Sequence, residues 1–206
     1  MLFLQLANLI ASELSDFLRR EGRATLCVPG GTTPGPVFDT LSGVDLDWAN
    51  VAVVLNDERW VAEDSPRSNT RLLRERLLKG RAAKARFLPL HAPGHEVPEE
   101  AVPALEDGLR PHLPISVLLL GMGADMHTAS LFPGADRLAE ALSSTPRLIL
   151  PMRAEGAGEP RVTLTAPVLR AAIKVHVLIT GADKRAAIEK AATLPIEKAP
   201  IRAVLD

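Results

Sequence analysis

The chain has 206 residues, of which 47% are hydrophobic, enough for one sizeable core, and we expect a single domain over residues 1–206. Its 24 basic and 25 acidic side chains give a formal net charge of -1, which supplies no field to attract nucleic acid or an anionic membrane. Only 3% of the residues are aromatic and none is tyrosine, which excludes the stacking platforms of single-strand binders and a tyrosine proton donor.

The first element is predicted to be an amphipathic helix. Apolar residues recur at intervals of three and four up to Leu18, and Gly22 follows as a helix stop. The N-terminus has neither the basic region nor the cleavage site of a secretory signal, and no apolar run is long enough to span a bilayer. The only cysteine, Cys27, lies in an apolar run, so we expect a cytoplasmic protein without an internal disulfide.

After Gly22, short apolar runs alternate with helical patterns. Runs typical of buried strands lie at residues 25–29, 51–55, 86–90, 116–120, 147–151 and 174–180. Helical patterns lie between several of them, near residues 37–41, 70–78, 101–109 and 183–192. Several strands are apolar on both faces, as is typical of a sheet covered by helices on both sides. The pattern therefore predicts an α/β fold of three layers, α/β/α, around a mostly parallel, Rossmann-like sheet.

Four of the predicted strands are followed at once by polar or glycine-rich loops, at residues 29–34, 56–59, 121–127 and 181–184. The carboxyl ends of parallel strands share one edge of the sheet, and ligands of open parallel sheets bind in the crevice beyond that edge. We therefore expect the four loops to meet in one site.

The first loop, in which Gly30, Gly31, Thr32 and Thr33 precede Pro34, is a candidate phosphate site. Backbone N–H groups, two hydroxyls and the positive end of the following helix could hold a phosphate. A nucleotide P-loop is excluded because no Lys-Ser/Thr pair follows the second glycine. Glycine and proline also mark ordinary strand-to-helix turns, so a plain turn is an equal alternative on this motif alone.

Two cations further along the chain are candidate phosphate contacts. Lys184 lies in the first turn of the last long helix, where its charge opposes the helix dipole at a cost of about 0.3–1 kcal/mol that an anion would offset. Arg161, which follows a Gly/Pro-rich loop, is a second candidate clamp. The alternatives are a solvated pair of Lys184 with Asp183 and an exposed arginine at a strand edge.

The loop at residues 121–127 carries the strongest candidate for catalysis. It delivers Asp125 and His127, a carboxylate and an imidazole able to accept a proton near neutral pH, just past a buried strand. A dinucleotide turn is excluded because Met126 stands where the third glycine of that fingerprint belongs. His91 and His95 are four residues apart, but the Pro-Gly between them prevents the helical spacing of a zinc pair, so we expect no metal.

The charged run Asp57-Glu58-Arg59 follows another predicted buried strand. Because side chains alternate along extended backbone, Asp57 and Arg59 are expected to point into the crevice. The alternative is a surface salt bridge, as we predict for the ladder of charges on the next helix. Their place at the crevice is what distinguishes Asp57 and Arg59 from that ladder.

Five blocks of sequence stand out together. They are Gly-Gly-Thr-Thr-Pro34, Asn-Asp-Glu-Arg-Trp-Val61 with Ser68-Asn69, Leu-Gly-Met-Gly-Ala-Asp-Met-His-Thr-Ala-Ser-Leu-Phe-Pro133, Arg-Val-Thr-Leu-Thr165 and Gly-Ala-Asp-Lys184. In this order, over nearly the whole chain, they resemble the 6-phosphogluconolactonase family of the glucosamine/galactosamine-6-phosphate isomerase superfamily. The block His-Thr-Ala-Ser-Leu-Phe-Pro is the most specific of them.

The resemblance implies the fold shared by sugar-phosphate isomerases and deaminases, and cofactor-free hydrolysis of 6-phosphoglucono-δ-lactone in the pentose phosphate pathway. In that reaction His127 resembles the general base that activates water, Asp57 and Asp125 orient it or the sugar hydroxyls, and Arg59 steadies the oxyanion. The implied substrate and phosphate contacts are Gly30, Gly31, Thr32, Thr33, Asn69, Asp125, Arg161 and Lys184. The expected partner is a sugar-phosphate lactone, and the chain is expected to be a monomer or a weak homo-oligomer.

The chain departs from the family pattern at Met126, where the family usually has glycine. If the turn there needs a positive φ, the methionine strains it, and its side chain could otherwise crowd the sugar. The chain is also expected to lack part of the family's N-terminal lead-in and C-terminal tail.

Two other functions stay open. An amino-sugar-phosphate deaminase or isomerase of the same fold is similar, but its ring-opening glutamate would fall at Phe132, which has no carboxylate. A non-catalytic sugar-phosphate sensor is the alternative from another class, although no helix-turn-helix segment or basic extension supports it.

Overall fold

The computed structural model describes residues 1–206. Its helices are α1 (Leu2–Glu21), α2 (Gly35–Ser42), α3 (Asn69–Arg76), α4 (Pro98–Leu109), α5 (Leu138–Leu142), α6 (Ala166–Arg170), α7 (Ala182–Ala191) and α8 (Arg202–Leu205). Its strands are β1 (Ala24–Val28), β2 (Val51–Leu55), β3 (Asp57–Arg59), β4 (Arg86–Leu88), β5 (Val117–Leu120), β6 (Ile149–Met152), β7 (Arg161–Leu164) and β8 (Lys174–Val177).

A five-stranded parallel sheet in the order β4-β2-β1-β5-β8 forms the centre of the molecule. Leu26 of β1 is in register with Val53 of β2 on one side and with Val117 of β5 on the other. Strands β1, β2 and β5 are buried along their whole length, as is typical of strands that are apolar on both faces. The predicted central parallel sheet with flanking helices is confirmed.

Helix α1 packs against β1, β5 and α2. Its buried residues include Ala7, Ile10 and Leu14, which recur at the three- and four-residue intervals of one helix face. Gly22 ends the helix in the left-handed conformation, with a φ of 71°, and its N–H donates to the carbonyl of Leu18 at 2.9 Å. The predicted opening helix and its stop are therefore confirmed.

A second sheet, antiparallel and in the order β3-β7-β6, corrects the expectation from sequence. The strand predicted at residues 147–151 is present as β6, but it pairs with β7 in this antiparallel sheet and packs against α4 instead of joining the parallel sheet. Strands β3 and β7 are not predicted from sequence, because they have three and four residues and β3 consists of charged side chains. Helices α5, α6 and α8 are missed for the same reason, since each has only four or five residues.

Asn56 joins the two sheets. Its N–H donates to the carbonyl of Val28 at the end of β1, at 3.0 Å, and its own carbonyl accepts the N–H of Leu164 in β7, at 2.9 Å. Asn56 is the one residue between the end of β2 and the start of β3. Because β3 begins directly after β2, Asp57 and Arg59 lie at the carboxyl edge of the parallel sheet.

The apolar interior consists of a main cluster of 43 buried residues and a smaller cluster of six. The smaller one, the C-terminal cluster, contains Met122, Met126, Ala187, Ala191, Ala199 and Ile201. It joins the loop after β5 to α7 and to the segment before α8. No helix of the molecule combines the length and the apolar character needed to cross a bilayer.

Candidate active site

A cavity of about 230 Å³ lies at the carboxyl edge of the parallel sheet, and all four loops expected there reach it. It borders the ends of β1 and β5, between which the strand order reverses. The predicted site residues that line it are Gly30, Gly31, Thr33, Asp57, Arg59, Asn69, His127, Arg161 and Lys184. The other two, Thr32 and Asp125, are exposed and do not line it.

The loop after β5 folds back on itself and presents His127. The N–H of Gly123 donates to the carbonyl of His127 at 3.0 Å, and Thr128 Oγ1 donates to the carbonyl of Gly121 at 2.8 Å. A Cβ atom on Gly123 would lie 2.2 Å from Cε1 and Nδ1 of the imidazole, so only glycine fits. The imidazole is thereby held against the backbone of its own loop.

Asp125 and His127 form a hydrogen-bonded pair. Nδ1 of the imidazole lies 2.5 Å from Oδ1 of Asp125, and the same oxygen accepts the N–H of His127 at 3.2 Å. Because an ionised carboxylate only accepts, Nδ1 carries the hydrogen and Nε2 is left as the acceptor. The side chain of His127 is 30% exposed and that of Asp125 is 54% exposed. Asp125 therefore contacts the histidine from outside the cavity.

Met126, between the two members of this pair, has a φ of 66°. That conformation favours glycine and costs another residue about 1–3 kcal/mol. The side chain is buried in the C-terminal cluster and does not line the cavity, and its carbonyl accepts the N–H of Ile201 at 3.0 Å. The backbone strain expected from the sequence is present, whereas the expected crowding of the sugar site is not.

Strand β3 sends alternate side chains to opposite sides. Asp57 and Arg59 line the cavity, whereas the buried Glu58 does not and caps α3 instead. The carboxylate of Glu58 accepts the N–H groups of Asn69 and Thr70 at 2.9 and 2.7 Å. Glu58 thus holds the end of α3 that carries Asn69. This role is not predicted from sequence, because nothing in the run Asp-Glu-Arg distinguishes the middle carboxylate from a surface charge.

Asp57 is buried and held by a residue that the sequence did not single out. Ser130 Oγ donates to its Oδ2 at 2.5 Å, and the Arg161 guanidinium lies 3.7 Å from the same oxygen. The N–H of Ser130 in turn donates to Thr163 Oγ1 at 3.2 Å. The only sequence signal for Ser130 is its place three residues after His127, in the most specific of the five blocks.

Arg59 and Asn69 pack together beside the glycine loop. Arg59 Nη1 donates to the carbonyl of Arg67 at 2.7 Å and to Asn69 Oδ1 at 3.3 Å, while its Nε is buried without a partner. Asn69 Nδ2 donates to the carbonyl of Asp57 at 3.2 Å. A Cβ atom on Gly30 would lie 2.2 Å from the Asn69 side chain, so this close approach requires glycine.

Arg161 brings a largely buried positive charge to the cavity, with 12% of its side chain exposed. Burial lowers the pKa of its guanidinium, and Asp57 counteracts part of that effect. Its Nη2 donates to the carbonyl of Ala157 at 3.2 Å, its Nε has no partner, and its guanidinium lies 5.2 Å from the centre of the Phe132 ring. The alternative of an exposed arginine at a strand edge is wrong, because β7 is the central strand of its sheet.

The first turns of two helices border the cavity. Helix α2 begins at Gly35, whose N–H donates to the carbonyl of Thr32 at 3.1 Å, so Thr32 closes the turn instead of lining the cavity. Gly31 has a φ of 81°, which only glycine adopts without strain. Lys184 lies in the first turn of α7, lines the cavity and forms no salt bridge, while the neighbouring Asp183 is exposed.

Phe132 packs against the imidazole of His127. The two ring centroids are 4.5 Å apart, and the rings are tilted by 39°. The position at which a deaminase would have its ring-opening glutamate therefore holds an aromatic ring in contact with the histidine. Apart from Asp125, no carboxylate forms a hydrogen bond or ion pair with this imidazole.

The chain offers no cluster of metal ligands. No group of three or more His, Cys, Asp or Glu side chains is arranged to hold a metal ion. His91 packs on the ring of Trp60 with centroids 4.5 Å apart, and burial lowers the pKa of its imidazole. His95 lies 3.4 Å from Glu100. Neither histidine lines the cavity.

The chain is similar in sequence and in structure to proteins of one family. Residues 1–206 match the family model of glucosamine-6-phosphate isomerases/6-phosphogluconolactonase. The chain is 44% identical to a 6-phosphogluconolactonase of Rhizobium meliloti, covering 97% of this chain and 87% of that one. It is also 44% identical to one of Mesorhizobium japonicum, covering 98% and 84%. The crystal structure of a 6-phosphogluconolactonase from Shewanella baltica matches with a TM-score of 0.96 at 36% identity, covering 99% and 88%.

Proposed function

We propose that this chain, which belongs to the family of glucosamine-6-phosphate isomerases and 6-phosphogluconolactonases, hydrolyses 6-phosphoglucono-δ-lactone to 6-phosphogluconate. The observation that carries the proposal is one cavity that holds both the imidazole of His127, paired with Asp125, and the cations Arg161 and Lys184. A base and a phosphate site in one cavity suit a phosphorylated ester. Relatives of 36–44% identity that bear the name 6-phosphogluconolactonase support this choice of substrate.

His127 acts as the general base in this reaction. A water at Nε2 gives a proton to the imidazole as its oxygen bonds to the lactone carbonyl carbon, and Asp125 stabilises the resulting imidazolium at Nδ1. The bond from this carbon to the ring oxygen then breaks, and the ring oxygen takes the proton from Nε2. The carboxylic acid of the product ionises, so each turnover releases one proton. General-base assistance of this kind supplies a factor of about 10²–10⁴ in rate.

Arg59 and Asp57 act on the sugar in this proposal. Arg59 lines the cavity with its positive charge and is suited to steady the negative charge that develops on the carbonyl oxygen. Asn69 holds the guanidinium of Arg59 in place. Asp57 orients a sugar hydroxyl through Oδ1, since its Oδ2 is occupied by Ser130.

The phosphate lies against the start of α2 and α7. The backbone N–H groups of Gly30 and Gly31, the Thr33 hydroxyl and the charges of Lys184 and Arg161 supply the donors. Thr32 contributes by closing the turn. The phosphate also offsets the unfavourable placement of a lysine in the first turn of a helix, at about 0.3–1 kcal/mol, and the burial of the arginine.

The proposed reaction requires no metal and no organic cofactor, because the chain itself supplies the base and the cations. The proposed partner is the sugar-phosphate lactone, and a cytoplasmic location belongs to the same proposal. A monomer or weak homo-oligomer and the absence of nucleic-acid binding stay predictions from the sequence.

Proton release on addition of freshly made 6-phosphogluconolactone in weakly buffered solution tests the proposal. Unphosphorylated glucono-δ-lactone and a protein-free blank are measured beside it. We expect fast proton release with the phosphorylated lactone and much slower proton release with unphosphorylated glucono-δ-lactone. A rate no faster than the blank would refute lactonase activity. In that case, ammonia release from glucosamine 6-phosphate would identify a deaminase, and binding without turnover would identify a sensor.

A further inference from the structure

Asn56 borders the cavity, and its side-chain oxygen is a buried acceptor without a hydrogen-bond partner in the protein. Asn56 lines the cavity but is only 1% exposed. Its Nδ2 lies 3.4 Å from the carbonyl of Leu119 in β5, and its Oδ1 has no hydrogen-bond partner in the protein. Exchanging the two amide atoms would bring two acceptors together at Leu119, so the chemistry of that contact fixes the orientation.

The backbone fixes Asn56 at the centre of the site. Its N–H and carbonyl are bonded to Val28 in β1 and to Leu164 in β7, so both sheets hold it. Its side chain reaches across the end of β1 to β5. It therefore lies between the glycine loop that follows β1 and the loop that carries His127 after β5.

An amide held in this way cannot readily turn its oxygen toward solvent. Nearly all buried polar atoms of native proteins have a hydrogen-bond partner, because an unpaired buried acceptor costs free energy. The residue is shielded from bulk water and borders the cavity, so a ligand bound in the cavity is the candidate donor to Oδ1. A ligand that brings such a donor removes the cost.

The neighbouring charges indicate which part of the ligand supplies the donor. Arg161 and Lys184 are donors only, and they attract the anionic oxygens of a phosphate. A fully ionised phosphate has no hydrogen to give to the oxygen of Asn56, whereas a sugar hydroxyl has one. The Asn56 amide therefore faces the hydroxyl-bearing ring and not the phosphate.

We infer that Asn56 Oδ1 accepts a hydrogen bond from a ring hydroxyl of the phosphorylated lactone and thereby selects this lactone over the analogue that lacks the hydroxyl. The inference rests on the proposed function for the identity of the ligand. Asn56 is then a residue that touches the substrate and determines specificity.

The test compares one amide variant across a series of substrates. Asn56→Leu keeps the size of the side chain and removes the acceptor. The quantity measured is kcat/KM for 6-phosphogluconolactone and its 2-, 3- and 4-deoxy analogues. The matched control is Ser116→Ala, because Ser116 is a buried polar residue at the opposite end of the sheet, where its Oγ accepts the N–H of Thr25 at 2.9 Å.

We expect the natural chain to disfavour one deoxy lactone by about 10- to 100-fold. Asn56→Leu should lower kcat/KM for 6-phosphogluconolactone by about the same factor. Its kcat/KM for the disfavoured deoxy lactone should stay within about threefold of the value for the natural chain. Ser116→Ala should keep the discrimination of the natural chain. An equal loss for all four lactones, or no loss, overturns the inference. If Asn56→Leu does not fold, Asn56→Ala, which also removes the acceptor, gives the same comparison.

Failure of the proposed function would be recognised separately. If the natural chain turns over no lactone, calorimetry with 6-phosphogluconate and its deoxy forms repeats the comparison on the same proteins. The acceptor role is supported if Asn56→Leu loses affinity for 6-phosphogluconate but not for the deoxy form that lacks the hydroxyl bound by Asn56. Equal losses for all the acids, or no binding to the natural chain, count against it.

Discussion

The two halves of the cavity are built in opposite ways. The imidazole half, residues 121–127, is a loop in which His127 is partly exposed, Asp125 lies outside the cavity and Met126 has an unfavourable φ. The cation half, formed by β3 and β7, buries Asp57 and most of Arg161 within a sheet. The imidazole half leaves Nε2 of His127 free to exchange a proton, and the cation half holds the charge of Arg161 in place for an anion. Substitutions in the imidazole half should therefore change kcat, and substitutions in the cation half should change the affinity for the phosphorylated substrate.

The largest expected effect on kcat comes from substitutions in the imidazole half. In Gly123→Ala the new methyl group would lie 2.2 Å from the imidazole of His127 and must displace it. We expect kcat to fall by about 100-fold, within the range that a general base supplies, with little change in the affinity for 6-phosphogluconate. Initial rates and calorimetry measure the two quantities.

The matched control is Gly108→Ala in α4, where a Cβ atom meets nothing within 4 Å. It should leave both kcat and affinity unchanged. A Gly123→Ala variant with a high KM and an intact kcat would show that the two halves are not separable.

The next largest effect is a weaker binding of substrate when the cation half is changed. Arg161→Met removes a charge whose hydrogen bonds to an anion are worth about 1.5–3 kcal/mol, so KM for the phosphorylated lactone should rise by about 10- to 100-fold. Hydrolysis of unphosphorylated glucono-δ-lactone should change little. Arg153→Met, which removes a guanidinium paired with Glu99 at the surface, is the control. Equal losses with both lactones would mean that Arg161 supports the fold of the cavity and not the phosphate.

The two halves also differ in how far the sequence predicts them. Asp125 and His127 follow a strand, β5, whose four apolar residues mark its carboxyl end, and that end locates them at the sheet edge. The place of Arg161 depends on pairing between β3 and β7, two strands of three and four residues, of which β3 has only charged side chains.

The partners of Asp57 could not be predicted at all from local patterns. Ser130 is 73 positions away from Asp57 along the chain, and no local pattern records such a contact. The unpaired oxygen of Asn56 and the cap made by Glu58 are likewise properties of the folded chain. The three central strands of the parallel sheet, β1, β2 and β5, could be predicted because burial on both faces leaves an apolar run in the sequence.

Met126 gives an intermediate effect on the stability of the imidazole half. Met126→Ala removes buried packing and keeps the positive φ, so we expect a loss of about 2 kcal/mol in the free energy of unfolding. Met126→Gly removes the same packing but relieves the strain, and it should be about 1 kcal/mol more stable than Met126→Ala. Urea unfolding measures both variants.

This order reverses the usual preference for alanine over glycine. The control pair is Leu105→Ala and Leu105→Gly within α4, where alanine should be the more stable variant. If glycine is also the less stable variant at position 126, the left-handed conformation there carries no strain.

The smallest effect concerns Glu159, in the loop before β7. Hydrogen bonds from Arg67, one of them 3.0 Å long from Nη2, hold the pKa of Glu159 at about 2. Because this lies below the unfolded value of about 4.3, the stabilisation is present above that pH and is lost as the pH falls through about 2. The Arg67 side chain is 53% exposed, so we expect at most about 1 kcal/mol.

Urea unfolding of Glu159→Gln and of the natural chain between about pH 7 and pH 3 measures this contribution. The difference between them should narrow as the pH falls below about 4.3. Glu155→Gln, which removes an exposed carboxylate without an ion pair, should match the natural chain. A difference that does not vary with pH would exclude the ionised Glu159 as its source.

The most direct test of the account is proton release from 6-phosphogluconolactone by His127→Ala, beside the natural chain and His95→Ala. His95 does not line the cavity, so its variant should be fully active. We predict that His127→Ala lowers kcat by about 10²–10⁴ and binds 6-phosphogluconate as the natural chain does. A His127→Ala rate within about threefold of the natural chain would contradict the assignment of His127 as the base.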